Sequence, residues 1–475
     1  MRENQTVFAV DLDNTLLRSD SLWEMFLSAL GCGDLRCLLY LPKGPVAFKE
    51  FLARSAPPLD LGYLPWNEDV IALARQARTE GREVWLVTAA NILFAERVAA
   101  HFGFFSGVLA TDGHTNLKGA VKAEVLVKRF GHKNFDYCGD SAADIPVWQA
   151  CREAVCVNPS ERLMARLRRV NPLSRRLDSS DKNGFELIKI CLRSVRLKQW
   201  LKNTLIAVPL LLMHKFTWPA FQTILAAFLS FSLCASALYL FNDMLDLAAD
   251  RRHPVKKNRP LASGALPVPR AFLLALALLV LSFFWAFDLA PHFAAVLAGY
   301  AALTLAYFFI FKKMLVADSV CLGFLYTLRV IAGAEALQVS ISVWLLSFSF
   351  FIFLGLAFIK RLIEIRRGHN AADINLAGRG YRFSEGRIIE TMSASAGFTA
   401  IIILALYIES AQALRWYANP KILWGICPVI LYWYCRLLLL VHRGEVDYDP
   451  VAFAGRDRIS LACGLISLSL ILLAI

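Results

Sequence analysis

The stretch FNDMLDLAAD, residues 241–250, follows directly on a long apolar run and carries three carboxylates and a carboxamide. Asp243, Asp246 and Asp250 fall at i, i+3 and i+7, a spacing that puts all three on one face of a helix. Carboxylates held together repel one another, and beside lipid each is expensive. A divalent cation offsets both costs, and Mg²⁺ takes a few carboxylates together with the phosphate oxygens of a substrate. Asn242 adds a neutral oxygen or an amide donor. The residues that follow, RRHPVKKNRPLASG, supply Arg251, Arg252, His253, Lys256, Lys257 and Arg259. Acids that hold a metal beside bases that hold phosphate make a diphosphate site. A solvated charged loop would explain the bases alone, but not the spacing of the acids.

A membrane must lie beside this site. Of the 475 residues 57% are hydrophobic and 19% charged, and the two kinds are unevenly spread. Residues 1–200 carry charges every few positions, as a soluble domain does. Beyond them recur apolar runs of about 18–22 residues, long enough to cross a bilayer as helices. Nine spans are expected, at 203–213 (short), 220–241, 271–288, 292–311, 314–334, 342–359, 392–411, 421–441 and 459–475. With the N-terminus inside, the loops after even-numbered spans face the cytoplasm. These carry eighteen Lys and Arg, against three (Lys215, Arg415 and Lys421) on the other side. That asymmetry turns the acid-bearing face to the cytoplasm, and the chain is expected in the inner, cytoplasmic membrane. The same placement accounts for the net charge of +13 without nucleic acid. Eleven cysteines with no CxxC pair and no zinc spacing read as reduced thiols. No signal peptide precedes the first strand, so the N-terminal half is expected to stay in the cytoplasm.

That half has its own chemistry. TVFAV runs straight into DLDNT, EVWLV ends in Thr88, and NFDYC ends in GDSAAD. Strands that end in polar residues describe an open, mostly parallel, Rossmann-like α/β sheet with its site at the carboxyl ends. The expected organisation is an α/β domain over 1–160, a basic linker and juxtamembrane helix over 161–200 lying on the anionic leaflet, and an all-α membrane bundle over 201–475.

The membrane half resembles a known family. NDMLDLAAD looks like the first aspartate motif, NDxxDxxxD, of the UbiA superfamily of membrane transferases. The resemblance covers 196–475, with LKQWLKN opening the first span. It implies nine transmembrane helices around a cavity open to the cytoplasm, with Mg²⁺ and a diphosphate substrate at the motif. The commoner prenyl-transferring members carry a second motif, DxxxD, whereas Asp318 here has no acid four residues on. In its place stand Tyr307, Lys312 and Asp318 in YFFIFKKMLVADSV, Lys360, Arg361 and Glu364 in KRLIE, and Asp449 and Asp457 in DPVAFAGRDRIS. This set is similar to the decaprenyl-phosphate 5-phosphoribosyltransferase branch. Members of that branch move phosphoribose from phosphoribosyl diphosphate to a polyprenyl phosphate and release pyrophosphate.

On that resemblance Asp243 and Asp246 hold Mg²⁺, with Asp250 in support, and neutralise the departing pyrophosphate. Lys257, Arg259 and Lys312 clamp phosphates, and Lys360 and Arg361 position the acceptor. Arg329, in mid-span, is expected to face the bundle interior. There it binds a carboxylate or phosphate, or else forms a structural ion pair with Glu335 or Glu364. Arg436, nearer a span end, is expected to snorkel.

The soluble half is similar to haloacid dehalogenase (HAD)-type hydrolases through four motifs in order. These are DxDxT (Asp11, Asp13, Thr15), a threonine after a strand (Thr88), a lysine, and GDSAAD (Asp140, Asp144). Lys122 is preferred as the lysine because it opens a helix, KAEVLVKRF, and Lys118 in NLKG is the alternative. The resemblance implies that Asp11 attacks phosphorus to form an aspartyl-phosphate, while Asp13 protonates the leaving group and then activates water. It implies Mg²⁺ at Asp11, the backbone of Asp13, and Asp140, with Asp144 completing the acidic set. Thr88 and Lys122 stabilise the phosphoryl oxygens. A helical cap within residues 16–80 would govern access.

Joined on one chain, the two halves describe a bifunctional enzyme. The membrane half would transfer 5-phosphoribose to a decaprenyl-type polyprenyl phosphate, and the hydrolase would remove the 5-phosphate. The product, polyprenyl-phosphoribose, is an arabinose-donor precursor. A prenyltransferase moving an isoprenoid to an aromatic acceptor competes with this reading, but the second DxxxD is missing. A scaffold or transporter competes too, though neither needs intact acid motifs. The expected partners are phosphoribosyl diphosphate, polyprenyl phosphate and membrane lipids, and a homo-oligomer is compatible with the sequence.

Overall fold

A computed structural model of the chain describes residues 6–112, 115–178, 184–212, 214, 216–367, 381–446 and 449–475. It forms two compact units, Met1–Val195 with Leu240–Leu274, and Arg196–Tyr239 with Ala275–Ile475.

The first unit is built on six strands: β1 (Val7–Val10), β2 (Val84–Asn91), β3 (Gly107–Thr111), β4 (Phe135–Gly139), β5 (Ala154–Val157) and β6 (Ser174–Leu177). All pair in parallel, in the order β3-β2-β1-β4-β5-β6. Every residue of β1 is buried. Phe8 and Val10 enter the core on one face of the sheet and Val7 and Ala9 that on the other, as in a strand covered on both sides. The order reverses between β1 and β4, which opens a crevice at their carboxyl ends.

Helices α1 (Ser21–Gly31), α2 (Arg36–Tyr40) and α3 (Pro45–Ser55) form the insertion after β1. Asp20 starts α1 by accepting from Leu22 N (2.9 Å) and Trp23 N (3.2 Å). α4 (Glu68–Thr79) leads back to β2, and α5 (Ile92–Phe102) and α6 (Ala120–Phe130) follow β2 and β3. α7 (Ile145–Ala150) and α8 (Glu161–Val170) follow β4 and β5, and α9 (Gly184–Val195) comes after β6. The linker expected over 161–200 needs correction in part. α8, capped by Ser160, and β6, paired along its length with β5, belong to the α/β layer.

In the second unit a 3-10 segment, Leu197–Ala207, and the short α10 (Val208–Leu212) stand where the first span was expected. This corrects the 203–213 helix: Pro209 has no N–H to give, and Asn203 turns a polar side chain inward. Seven helical segments are long and apolar enough to cross a bilayer, among the described residues. They are α11 (Trp218–Leu245), which links the two units, then, beyond the short α12 (Leu247–Arg252) of the first unit, α13 (Val268–Leu289), α14 (Pro291–Phe309), α15 (Ala317–Leu337), α16 (Val343–Arg367) and α17 (Gly386–Ile408). Past α18 (Ala411–Trp416), the seventh is α19 (Ile426–His442) with the turn before it. α20 (Pro450–Ala454) and a shorter apolar helix, α21 (Arg458–Ala474), close the chain. The expected nine spans are therefore seven long ones and two shorter apolar pieces. Lys215 and Arg379, counted in the charge asymmetry, lie outside the described residues.

Composition fits a multi-pass membrane protein. Val280, Phe284 and Phe287 of α13 are 62%, 69% and 66% exposed, an apolar face that water would not tolerate and lipid would. Inside, contacts are small and polar: Ser230 Oγ donates to Ser282 O and Ser282 Oγ to Ser230 O, at 2.8 and 2.7 Å. A Cβ on Gly333 would stand 2.0 Å from Ile206 O, so only glycine lets α15 approach the 3-10 segment.

Candidate active sites

At the β1–β4 crevice, Asp11 follows β1, Asp140 follows β4, and Asp144 ends the 3-10 turn Ala142–Asp144. Ligand oxygens of these three acids lie within 4.8 Å of one another. Lys122 of α6 is buried and donates to Asp11 Oδ2 (2.8 Å) and Tyr137 OH (2.8 Å), 3.5 Å from Asp144. The structure brings Lys122 to the acids and leaves Lys118 exposed. Tyr137 OH in turn reaches Asp144 Oδ1 (3.0 Å) and Asp11 Oδ2 (3.2 Å). Asp13 Oδ1 accepts from Ser21 N (2.7 Å), and Thr88 Oγ1, fully buried, accepts from Ala90 N (3.0 Å). Thr15 is fully buried.

Burial raises Asp11, with Lys122 pulling against it and Asp144 adding to it. Burial and the neighbouring Asp20 push Asp13 up to about 7, and burial with Asp11 and Asp144 pushes Asp140 to about 8. Crowded carboxylates of this kind form the donor set a divalent cation needs. A carboxyl that holds its proton near neutrality, as Asp13 does, is placed to work as an acid.

The second acidic group lies where α11 gives way to α12. The chain turns at Asp246, which corrects the picture of one unbroken helix. Main-chain bonding continues all the same, from Asp246 N to Asn242 O (2.9 Å) and from Asp250 N to Asp246 O (2.8 Å). Asp243 and Asp250 are buried. Arg259 bridges them, 3.1 Å from Asp243 Oδ1 and in contact with Asp250, while Lys256 stands 3.7 Å from Asp250. Asn242 Nδ2 donates to Asp246 Oδ2 (3.0 Å), and Lys257 is exposed. Among the described residues only Asp11, Asp140 and Asp144 converge within one ligand sphere. The spread of Asp243, Asp246 and Asp250 suits a cation that arrives with phosphate oxygens of its own rather than a bare ion.

In the membrane bundle, residues far apart in sequence meet around Arg361, whose side chain is 0% exposed. Its Nε donates to Asp318 Oδ2 (2.5 Å), Nη1 to Glu364 Oε2 (2.6 Å) and Nη2 to Tyr307 OH (3.0 Å). Tyr381 OH donates to the other Asp318 oxygen (2.6 Å). Lys360, half-buried, faces the charges of Lys202, Glu364 and Asp449. Lys202 of the 3-10 segment pairs with Asp449, which caps α20 through Val451 N (3.0 Å) and Ala452 N (3.2 Å). Lys312 is half-buried in the 3-10 turn Phe311–Lys313 after α14.

Two residues stand apart from this cluster. Asp457 caps α21 at Ser460 N (2.8 Å) and holds both Nη atoms of Arg436 (2.6 and 3.0 Å), so Arg436 is ion-paired rather than snorkelling. Arg329 is buried, donating to Asn203 Oδ1 (2.9 Å), Leu325 O (2.5 Å) and Tyr300 OH (3.2 Å). Those partners are neutral, and Glu364 is engaged by Arg361 instead.

Sequence reasoning passed over Tyr137, Tyr381 and Lys202. Only Lys202 left a signal, as part of the LKQWLKN stretch that opens the first span.

The Arg361–Asp318 pair gives a stability prediction. Arg361→Met strands a carboxylate that is itself 0% exposed. It should therefore destabilise the protein by about 3–5 kcal/mol. Arg361→Met with Asp318→Asn should recover much of that, as read by thermal unfolding in detergent.

Residues 203–451 match the UbiA prenyltransferase family, and residues 8–149 match haloacid dehalogenase-like hydrolases. An uncharacterized protein, y4nM, of Sinorhizobium fredii is 36% identical over 98% of this chain and 90% of its own length, so the alignment spans both halves. Nodulation protein NoeC of Azorhizobium caulinodans is 34% identical over 56% of this chain and 86% of its own. The decaprenyl-phosphate phosphoribosyltransferase of Mycolicibacterium smegmatis is 34% identical over 58% of this chain and 88% of its own. The chain belongs to the UbiA prenyltransferase family and carries a haloacid dehalogenase-like hydrolase domain at its N-terminus.

Proposed function

We propose that the membrane half transfers 5-phosphoribose from phosphoribosyl diphosphate to a polyprenyl phosphate, and that the hydrolase then removes the 5-phosphate. What carries this reading is the cluster around Arg361. Tyr307, Asp318, Arg361 and Glu364, the residues found in place of a second DxxxD, form one hydrogen-bonded group around the enclosed Arg361–Asp318 pair. The relatives named decaprenyl-phosphate phosphoribosyltransferase support the same substrate class.

In the transfer, the bond from the anomeric carbon to the diphosphate oxygen breaks, and a bond to a phosphate oxygen of the acceptor forms. Asp243, Asp246 and Asp250 would hold Mg²⁺, which supplies positive charge to the departing pyrophosphate. Arg259 and Lys256 add fixed positive charge on the same loop. The acceptor is already anionic and needs orientation more than deprotonation, a task for Lys360 and Lys202. Asp318, Glu364 and Tyr307 hold Arg361 in one orientation.

In the hydrolase, Asp11 takes the phosphoryl group, Asp13 gives its proton to the ribose oxygen and then takes one from water, and water releases phosphate from Asp11. Lys122 keeps Asp11 oriented, and Asp11, Asp140 and Asp144 would hold Mg²⁺. Both sites would face the cytoplasm from the inner membrane. The dephosphorylated lipid would serve as an arabinose-donor precursor.

Purified protein given labelled phosphoribosyl diphosphate, polyprenyl phosphate and Mg²⁺ should yield a labelled lipid without its 5-phosphate. No labelled lipid would remove the transferase reading, and a retained 5-phosphate the hydrolase one. Saturating Mg²⁺ should also raise the hydrolase unfolding temperature by about 5 °C, since a ligand bound only to the folded state stabilises it. Asp140→Asn should abolish that shift.

A further inference from the structure

The segment that returns from the membrane within the first unit does more than carry the aspartate motif. Arg251, next after Asp250, is 5% exposed and makes a two-pronged ion pair with Glu24 of α1, itself 3% exposed. Nη1 to Oε2 and Nη2 to Oε1 are both 2.7 Å. Arg251 Nε donates to Ala262 O (3.1 Å), so one guanidinium ties α1 to both ends of the loop that holds Arg259. Ser19 Oγ adds a bond to Glu24 Oε1 (2.5 Å).

The same two surfaces meet elsewhere. A Cβ on Gly31 would come within 2.6 Å of Leu245 O. Gly264, at φ +75°, would put its Cβ 3.2 Å from Arg18 O and from Pro65 Cβ. The rings of Trp23 and Phe272 lie 6.0 Å apart, and Arg252 lies 3.2 Å from Asp60. α1 begins at Ser21, whose N–H holds Asp13 (2.7 Å), and Glu24 follows one turn later. One short helix thus touches a hydrolase carboxylate at its start and the transferase loop on its side.

Taking a guanidinium and a carboxylate out of water is costly unless every donor and acceptor is matched, and such buried pairs serve best to fix register. Exposed pairs would suffice merely to tether two domains. We infer that α1 of the hydrolase is a structural part of the transferase site, and that Glu24, acting through Arg251, is a positioning residue for Asp243, Asp250 and Arg259. This rests on reading the aspartate motif as the donor diphosphate site.

The test uses the full-length protein in detergent with phosphoribosyl diphosphate and polyprenyl phosphate. Glu24→Gln should raise KM for phosphoribosyl diphosphate about tenfold or more, with kcat changed by less than about threefold. Hydrolysis of ribose 5-phosphate should stay within about twofold of wild type, a readout that general loss of structure would move. Arg251→Met should match Glu24→Gln, and the double variant should be no worse than either, because each acts through the other. If Glu24→Gln fails to fold, Glu24→Asp keeps the charge but not the reach and carries the same expectation. A folded variant with unchanged KM, or single effects that add in the double, overturns the positioning role. A wild type that makes no sugar lipid overturns the donor-site reading itself, and this inference with it.

Discussion

Asp11→Asn, supplied with phosphoribosyl diphosphate, polyprenyl phosphate and Mg²⁺, should accumulate a sugar lipid that keeps its 5-phosphate. Hydrolase turnover should fall by about 10⁴-fold, while the transferase rate stays that of wild type. The reason is local. Asp11 Oδ1 accepts from Leu12 N (2.8 Å) and Oδ2 from Lys122 (2.8 Å), and an asparagine of the same size keeps an oxygen for one of them. What it lacks is the charge that attacks phosphorus. Stability should not suffer, because burial and the neighbouring Asp144 already raise Asp11, and Lys122 keeps Asp144 at 3.5 Å as a partner. One negative charge fewer relieves that repulsion, so an unchanged or higher unfolding temperature separates lost chemistry from lost fold. Mass spectrometry of the lipid products decides. If wild type and variant both stop at the phosphorylated lipid, the hydrolase acts on something else. If the variant still strips the phosphate, Asp11 is not the nucleophile.

The convergence of Asp11, Asp140, Asp144 and Lys122 was legible because a parallel sheet delivers residues to one edge. Asp11 and Asp140 each follow a strand's carboxyl end, Thr88 lies within β2, which runs on to Asn91, and the sheet order then makes neighbours of β1, β2 and β4. The long spans were legible for a different reason, since lipid requires an unbroken apolar run to satisfy the main chain within each helix. Where tertiary contacts decide, the sequence was mute. β6 reads SRRL, polar enough to pass for linker, and is a strand only because β5 offers an edge. Tyr137 and Tyr381 are single aromatics with no spacing to betray that their hydroxyls reach Asp11, Asp144 and Asp318. Arg251 looked like one more phosphate base in a basic loop, yet its partner, Glu24, is 227 residues away. Arg329 called for an acidic partner by its place in lipid, and the fold answers with an amide, a carbonyl and a phenol.

Asp243→Asn is the matching test in the membrane half, with transferase turnover expected to fall by about 10³-fold. Hydrolysis of ribose 5-phosphate should persist. The substitution removes charge and keeps the size of the side chain. Arg259 keeps its contact with Asp250, and the new amide oxygen can still accept from Nη1 where Asp243 Oδ1 now stands, at 3.1 Å. Arg259 keeps Asp250 as its partner, in contrast to Asp318, whose loss would leave the enclosed Arg361 short of one. Asp318→Asn should therefore lower the unfolding temperature, and Asp243→Asn should not. The deficit in Asp243→Asn is one negative charge on the face proposed to hold a cation against a diphosphate, so affinity for that cation should fall first. Raising Mg²⁺ well above the wild-type requirement should then recover part of the lost rate, which a collapsed loop could not do. A rate that stays at wild type after Asp243→Asn would take the diphosphate away from this motif. An isoprenyl diphosphate consumed by wild type in place of phosphoribosyl diphosphate would keep the motif and change its donor.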